Sequence, residues 1–188
     1  MPVPKPPGGP PVLTRAWLRV AAPLLVLAAF SHATATMLVH LNLEKLAAAA
    51  DTIVEGRVEA VRSFWEGRQI VTEVTLSVSR ALKGHPGAGV SFLQVGGSVQ
   101  APVPATMTVP GAPIHSVGDE GFYFLEPGGP GREIVVGLSQ GRVPERRDES
   151  GLFVGFDGRR RTPGQFADDV RRALAGQPPA APTPPNSP

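Results

Sequence analysis

Gly137-Leu138-Ser139-Gln140-Gly141 matches G-x-S-x-G, the pattern of a nucleophile elbow. In that arrangement a strained strand–turn–helix corner exposes the serine, and an acid and then a histidine follow later in the chain. Here the four histidines, at positions 32, 40, 85 and 115, all precede Ser139, and Arg142-Val143-Pro144-Glu145 is no helix start. A hydrolase of that chain order is excluded, and the stretch reads instead as a strand whose glycines permit a bulge or a close approach. His115, Asp119 and Glu120, with His85, carry metal-ligating groups, but they lack HExxH or paired spacing. Val117-Gly118-Asp119-Glu120 reads as a turn before a strand. Gly87-Ala88-Gly89 lacks the third glycine of a dinucleotide fingerprint, and no G-x-x-x-x-G-K-[ST] occurs. No catalytic residue, metal ligand or cofactor is therefore assigned.

Contact chemistry has better candidates. Phe64 and Trp65 fall at an expected hairpin tip, where an aromatic ring serves as a stacking platform or protein hot spot, or else covers one end of the core. The segment Gly96 to His115 is long for a small β domain, and long loops are often functional. Gln100, Met107 and Thr108 give it mixed polarity suited to contact. Phe64, Trp65, Gln100, Met107, Thr108 and His115 are the expected binding residues. Arg159-Arg160-Arg161 is flanked by Asp157 and by Asp168-Asp169, which suits a solvated connector or a patch for an acidic partner.

Composition bounds what can hold these residues in place. The 188 residues include 22 Gly and 22 Pro, 41% are hydrophobic, and none is cysteine. So many breakers point to short strands joined by turns, not to a helix bundle. Disulfides, thiolate metal sites and cysteine nucleophiles are excluded. The formal charge is +2, but Lys5, Arg15 and Arg19 all precede the first acid, Glu44. Without the N-terminal segment the balance is 15 basic against 16 acidic residues. No net field draws a polyanion, so nucleic acid is not an expected partner.

Residues 1–35 read as a secretory signal: a basic leader, the apolar run Val20 to Phe30, then small residues at Ser31-His32-Ala33 and Ala33-Thr34-Ala35. The run is 11 residues long and contains Pro23, whereas a spanning helix needs about 20 apolar residues. The alternative is an uncleaved N-terminal anchor. No membrane span is expected after signal removal. Residues 177–188, QPPAAPTPPNSP, read as a disordered proline-rich tail.

Between these ends, residues 36–51 are expected to hold a short helix packed on the β domain. Asn42 caps it, and Leu43, Leu46, Ala47 and Ala50 form one face. The period then changes to two. Val54, Gly56, Val58 and Ala60 alternate with Glu55, Arg57 and Glu59. After a turn at Phe64–Arg68, Ile70, Thr72, Val74, Leu76 and Val78 face one way, and Glu73, Thr75, Ser77 and Ser79 the other. Further strands are expected over Val90–Val95, Gly121–Leu125 and Glu133–Leu138. Residues 52–146 are thus the size of a small barrel with no helical crossover. Residues 147–176 add a hairpin strand at Gly151–Phe156 and a terminal helix. That helix opens on a Thr162–Gln165 capping box with Pro163 in the first position, and its stripe is Phe166, Val170, Ala173 and Leu174. The fold class expected is mainly β, a five- to six-stranded antiparallel OB-like barrel with a helix at each end.

The order of these elements resembles a group of uncharacterised secreted bacterial proteins with an OB-like barrel. The residues that carry the likeness run from Leu43 to Arg142. They include Leu43-Glu44-Lys45-Leu46, Ala50-Asp51-Thr52-Ile53-Val54-Glu55-Gly56-Arg57-Val58, Trp65, Ile70-Val71-Thr72 and Leu82-Lys83-Gly84. Gly96-Gly97, Pro110-Gly111-Ala112-Pro113, Val117-Gly118-Asp119-Glu120, Phe122-Tyr123-Phe124-Leu125 and Gly137-Leu138-Ser139-Gln140-Gly141-Arg142 complete them. More distantly the chain is similar to the netrin and tissue-inhibitor-of-metalloproteinases modules. The inhibitors reach a catalytic zinc through an N-terminal cysteine, which this chain lacks, so only the scaffold carries over. The expected function is that of an exported, non-catalytic binding module that engages a protein or polymer outside the cytoplasm, and the distant likeness to the inhibitors makes an exported protease one conceivable partner. The alternatives are a structural, envelope-associated protein and a small hydrolase or metal-dependent enzyme.

Overall fold

The computed structural model describes residues 40–178. The leader expected over 1–35, and all of the expected tail except Gln177 and Pro178, lie outside the described residues. Asn42 opens the first described element. Its side chain accepts the Lys45 amide at 3.0 Å and caps α1, Leu43–Ala49. Leu43, Leu46, Ala47 and Ala50 are buried, the face that the 3.6 period predicts.

β1 (Thr52–Glu66) and β2 (Gln69–Lys83) form a long antiparallel hairpin. The expected turn at Phe64–Arg68 is shorter than that: the strand continues through Phe64 and Trp65, and only Gly67 and Arg68 turn the chain. Alternation on β2 is as expected. On β1 it slips, because the register shifts between Glu55 and Gly56 and again between Val58 and Ala60. These bulges leave Ala60 exposed, where unbroken alternation predicts it inside. A Cβ on Gly56 would lie 2.6 Å from the Ser77 carbonyl oxygen, so only glycine permits this approach. Bulges add twist, and the bulged half of β1 pairs with two neighbours at once.

β3 (Gly89–Val95) continues the meander against β2. The proline-rich segment that follows is not a plain loop. It contains a small hairpin, β4 (Gly97–Val99) with β5 (Ala105–Met107). β6 (Glu120–Gly129) then returns to lie beside β1, giving the order β6-β1-β2-β3 of a Greek key. β7 (Arg132–Val135) fits between β6 and β3. The five strands β1, β2, β3, β7 and β6 therefore pair in a closed ring.

The sheet runs on past the ring through β8 (Arg142–Asp148), β9 (Gly151–Phe156) and β10 (Arg159–Arg161). It has eight strands and is mixed. The β3–β7 junction is parallel, through the single pair Phe92–Glu133, which corrects the all-antiparallel expectation. β8 is the strand that alternation fails to find, because RVPERRD carries five charged residues and a proline. It holds because Gly121 to Tyr123 of β6 accept it as a neighbour. The strand expected to run to Leu138 stops at Val135, and Gly137 and Leu138, with φ of 60° and 66°, turn the chain. α2 (Pro163–Leu174) follows, with the Thr162–Gln165 capping box formed on both sides.

β6 is apolar on both faces, and the fold uses both. Tyr123 and Leu125 point into the ring with Val54, Val58, Val74, Leu76, Phe92 and Val135. Phe122 and Phe124 point outward, to Leu46, Ile53, Phe166 and Val170 under the two helices. Phe122 meets Phe166 edge-on, with centroids 4.8 Å apart. Leu174, expected on the buried stripe of α2, is exposed at its last turn. No helix among the described residues is long and apolar enough to cross a membrane.

Candidate functional site

At one end of the ring the inward-facing positions turn from apolar to polar. Ser63 of β1, Thr72 of β2 and Gln94 of β3 succeed Val74 and Phe92 there. The Ser63 and Thr72 hydroxyls lie 2.8 Å apart, and Thr72 donates to the Gly96 carbonyl at 2.7 Å. Gly97 sits directly above them at φ 128°, and a Cβ there would collide with Thr72 Oγ1 and lie 2.5 Å from Ser63 Oγ. Two adjacent left-handed glycines thus turn β3 into β4 across the end of the ring.

The segment after β5 closes the other side. Gln94 Nε2 donates to the Pro113 carbonyl at 2.8 Å, and Gln94 Oε1 lies 3.1 Å from His115 Nε2. Both polar ends of one side chain therefore hold the 113–115 segment. Arg142 at the start of β8 holds the next residues, through Nη1 to the Ile114 carbonyl at 3.1 Å and Nη2 to Asp119 Oδ2 at 2.7 Å. Asp119 Oδ2 also accepts the Ser116 amide at 3.0 Å.

His115 is 8% exposed and lies edge-on to Phe92 with centroids 5.3 Å apart. Burial first, and the Arg142 charge second, push its pKa down to about 4 against the opposing pull of Asp119. The ring is neutral at neutral pH. Burial pushes the Tyr123 hydroxyl up, with Arg142 opposing. Glu145, on the same strand as Arg142, has its pKa raised to about 7 by burial and by the like charges of Glu55 and Glu120. His115 Nδ1, Tyr123 Oη and Arg142 Nε are all buried here, and the Arg142 side chain opposes the effect of burial on the Tyr123 hydroxyl.

These elements enclose a groove of about 320 Å³, walled by Val61, Val95, Met107, Val109 and Ile114 over a floor of Ser63, Thr72 and Gln94. Of the residues expected at a binding edge, Met107, Thr108 and His115 line it. Trp65 does not, but it follows Val61 and Ser63 at alternate positions on β1, opposite the buried Ile70, and is 42% exposed. Phe64 points to the opposite face under the Arg62 guanidinium, 5.1 Å from its ring centroid. Gln100 is exposed beyond β4, away from the groove lining. Periodicity misses Gln94 and Ile114. Gln94 was legible as the one polar side chain on the inward face of VSFLQV, whereas nothing local marks Ile114.

Ser139 lies in the turn between β7 and β8, not in a strand–turn–helix corner. The amides of Ser139 and Gln140 bond to the Gly137 carbonyl, and that of Gly141 to the Val136 carbonyl, so none is turned toward an oxyanion. His85 is exposed on the β2–β3 connection. No group of three or more metal-ligating side chains forms among the described residues. The chain matches no family model, no curated protein and no solved structure.

Proposed function

We propose that this chain is an exported, non-catalytic binding module that engages a protein or polymer outside the cytoplasm. Its scaffold is an OB-like barrel, with the groove at the end of the ring as the contact edge. The Greek-key strand order and the five-strand ring support the OB-like reading. The observation that carries the binding reading is Ile114. It is 86% exposed, yet its backbone and its neighbours are pinned by Gln94 and Arg142. A large apolar side chain held in water on a rigid segment, beside exposed Val61 and Val95, is preorganised for contact. The leader supports export.

Affinity capture from the exported fraction, with the purified full-length chain as bait, tests this reading. Ile114→Asp and Trp65→Ala are expected to cut recovery of the captured species at least ~10-fold with an unchanged far-UV CD spectrum. Equal recovery by both variants rejects the groove as the edge. Unprocessed chain found only in the cytosol rejects export.

A further inference from the structure

A second groove lies on the outer side of the ring, where β3 and β7 part. Their parallel ladder consists of one pair, Phe92–Glu133. Beyond it, Gly96 bonds back to Ile70 of β2, and Val136 bonds back to Phe124 of β6. These bonds set the direction of every second residue. Gln94 and Gly96 face β2, so the Leu93 carbonyl and the Val95 amide face the seam. Ile134 and Val136 face β6, so both backbone polar groups of Val135 face it too. Among the described residues no β3–β7 pair follows Phe92–Glu133 to join these four groups. Among the described residues nothing closes the seam beyond that pair: the strands run parallel, and at their shared C-terminal end Gly96-Gly97 carries β3 away and Gly137-Leu138 carries β7 away.

The groove over this seam measures about 480 Å³ and is mostly apolar, with Val71, Leu93, Val95, Ile134 and Leu138 along it. The Glu66–Arg132 ion pair links the end of β1 to the start of β7 at its margin. That pair is partly exposed on both sides, so it opens at little cost.

We propose that this seam is an extended-peptide site: a partner's strand enters between β3 and β7, bonds to the Leu93 carbonyl, the Val95 amide and Val135, and lays alternate apolar side chains into the groove. The hydrogen-bonding pattern selects the occupant. Donors and acceptors alternating at strand spacing match a polypeptide backbone, and a hydrocarbon would leave them unpaired. The site adjoins the groove at the end of the ring, with which it shares Gln94 and Val95, but it opens on the outer side and does not depend on export.

The probe is the peptide acetyl-Lys-Val-Thr-Val-Thr-Val-Lys-amide, titrated into the ¹⁵N-labelled full-length chain and compared with the same peptide N-methylated at alternate amides. The Val95 and Val135 amide resonances are expected to shift and their hydrogen exchange to slow. The N-methylated peptide should bind at least ~10-fold more weakly, as backbone bonding requires. Val95→Pro removes the seam donor without touching the β2 ladder and should weaken the unmodified peptide as much. The N-methyl comparison needs no variant, so it stands if Val95→Pro fails to fold. Equal binding of both peptides would mean apolar contact alone and would overturn the proposal. Shifts confined to Met107 and Thr108, or no binding at millimolar peptide, overturn it as well.

Discussion

His115 and Glu145 titrate in opposite senses over nearly the same pH range. His115 has its folded pKa lowered from 6.5 to about 4. The stability that accompanies its neutral form is complete above pH 6.5 and is lost as the pH falls toward 4. Glu145 has its folded pKa raised from 4.5 to about 7, so the folded state holds the extra proton, and stability falls as the pH rises from 4.5 to 7. The two slopes oppose each other, and wild-type stability is expected to stay nearly flat between pH 4.5 and 6.5. Urea unfolding across that range checks this. His115→Gln should leave stability that falls with pH, and Glu145→Gln stability that rises with it. Parallel profiles for the two variants would contradict the assignment. At Gly97 the constraint is steric. Gly97→Ala puts a methyl group on Thr72 Oγ1 at a φ of 128°, at a cost of about 1–3 kcal/mol, readable as a lower urea midpoint.

Among the elements, α2 shows best how local signals and tertiary contacts divide the work. Its start was written in Thr162, Pro163 and Gln165, and the capping box forms as read. Thr162→Ala is expected to cost about 1 kcal/mol. Its attachment to the sheet was not legible. Arg161 of β10 reaches Asp169 of α2 at 2.6 Å and the Phe156 carbonyl at 3.1 Å, with both charges almost fully buried. In the sequence, Arg161 is the last of three arginines in what looks like a solvated run. Only the pairing of β10 with β9 turns it inward while Arg160 turns out to Asp148 and over the Phe153 ring. Asp169→Ala strands a buried guanidinium and should cost about 3–5 kcal/mol, whereas Asp148→Ala at the exposed pair should leave the melting temperature nearly unchanged. Thermal melts of the two variants separate these cases.

Over the whole molecule, β6 and the start of β1 join two cores: Phe122, Phe124 and Ile53 face the layer beneath the helices, and Tyr123, Leu125, Val54 and Val58 face the ring interior. Phe92→Ala in one and Phe166→Ala in the other should each cost about 3–5 kcal/mol while leaving a single cooperative transition, measured by far-UV CD and near-UV CD together. Two separated transitions would mean that the cores unfold independently. Strand periodicity, helix caps and the lack of cysteine were readable residue by residue, because they follow from side-chain chemistry and spacing of two or 3.6. They determined a mainly β domain held by apolar packing, with a helix before and after it. Tertiary structure decided that β8 is a strand, that the β3–β7 junction is parallel and open, and that Gln94, Ile114 and Arg142 meet at one end of the ring. Those outcomes rest on pairing between residues far apart in the chain, where the free energy comes from a neighbour's hydrogen bonds and from shared burial, and no local pattern encodes which neighbour that will be.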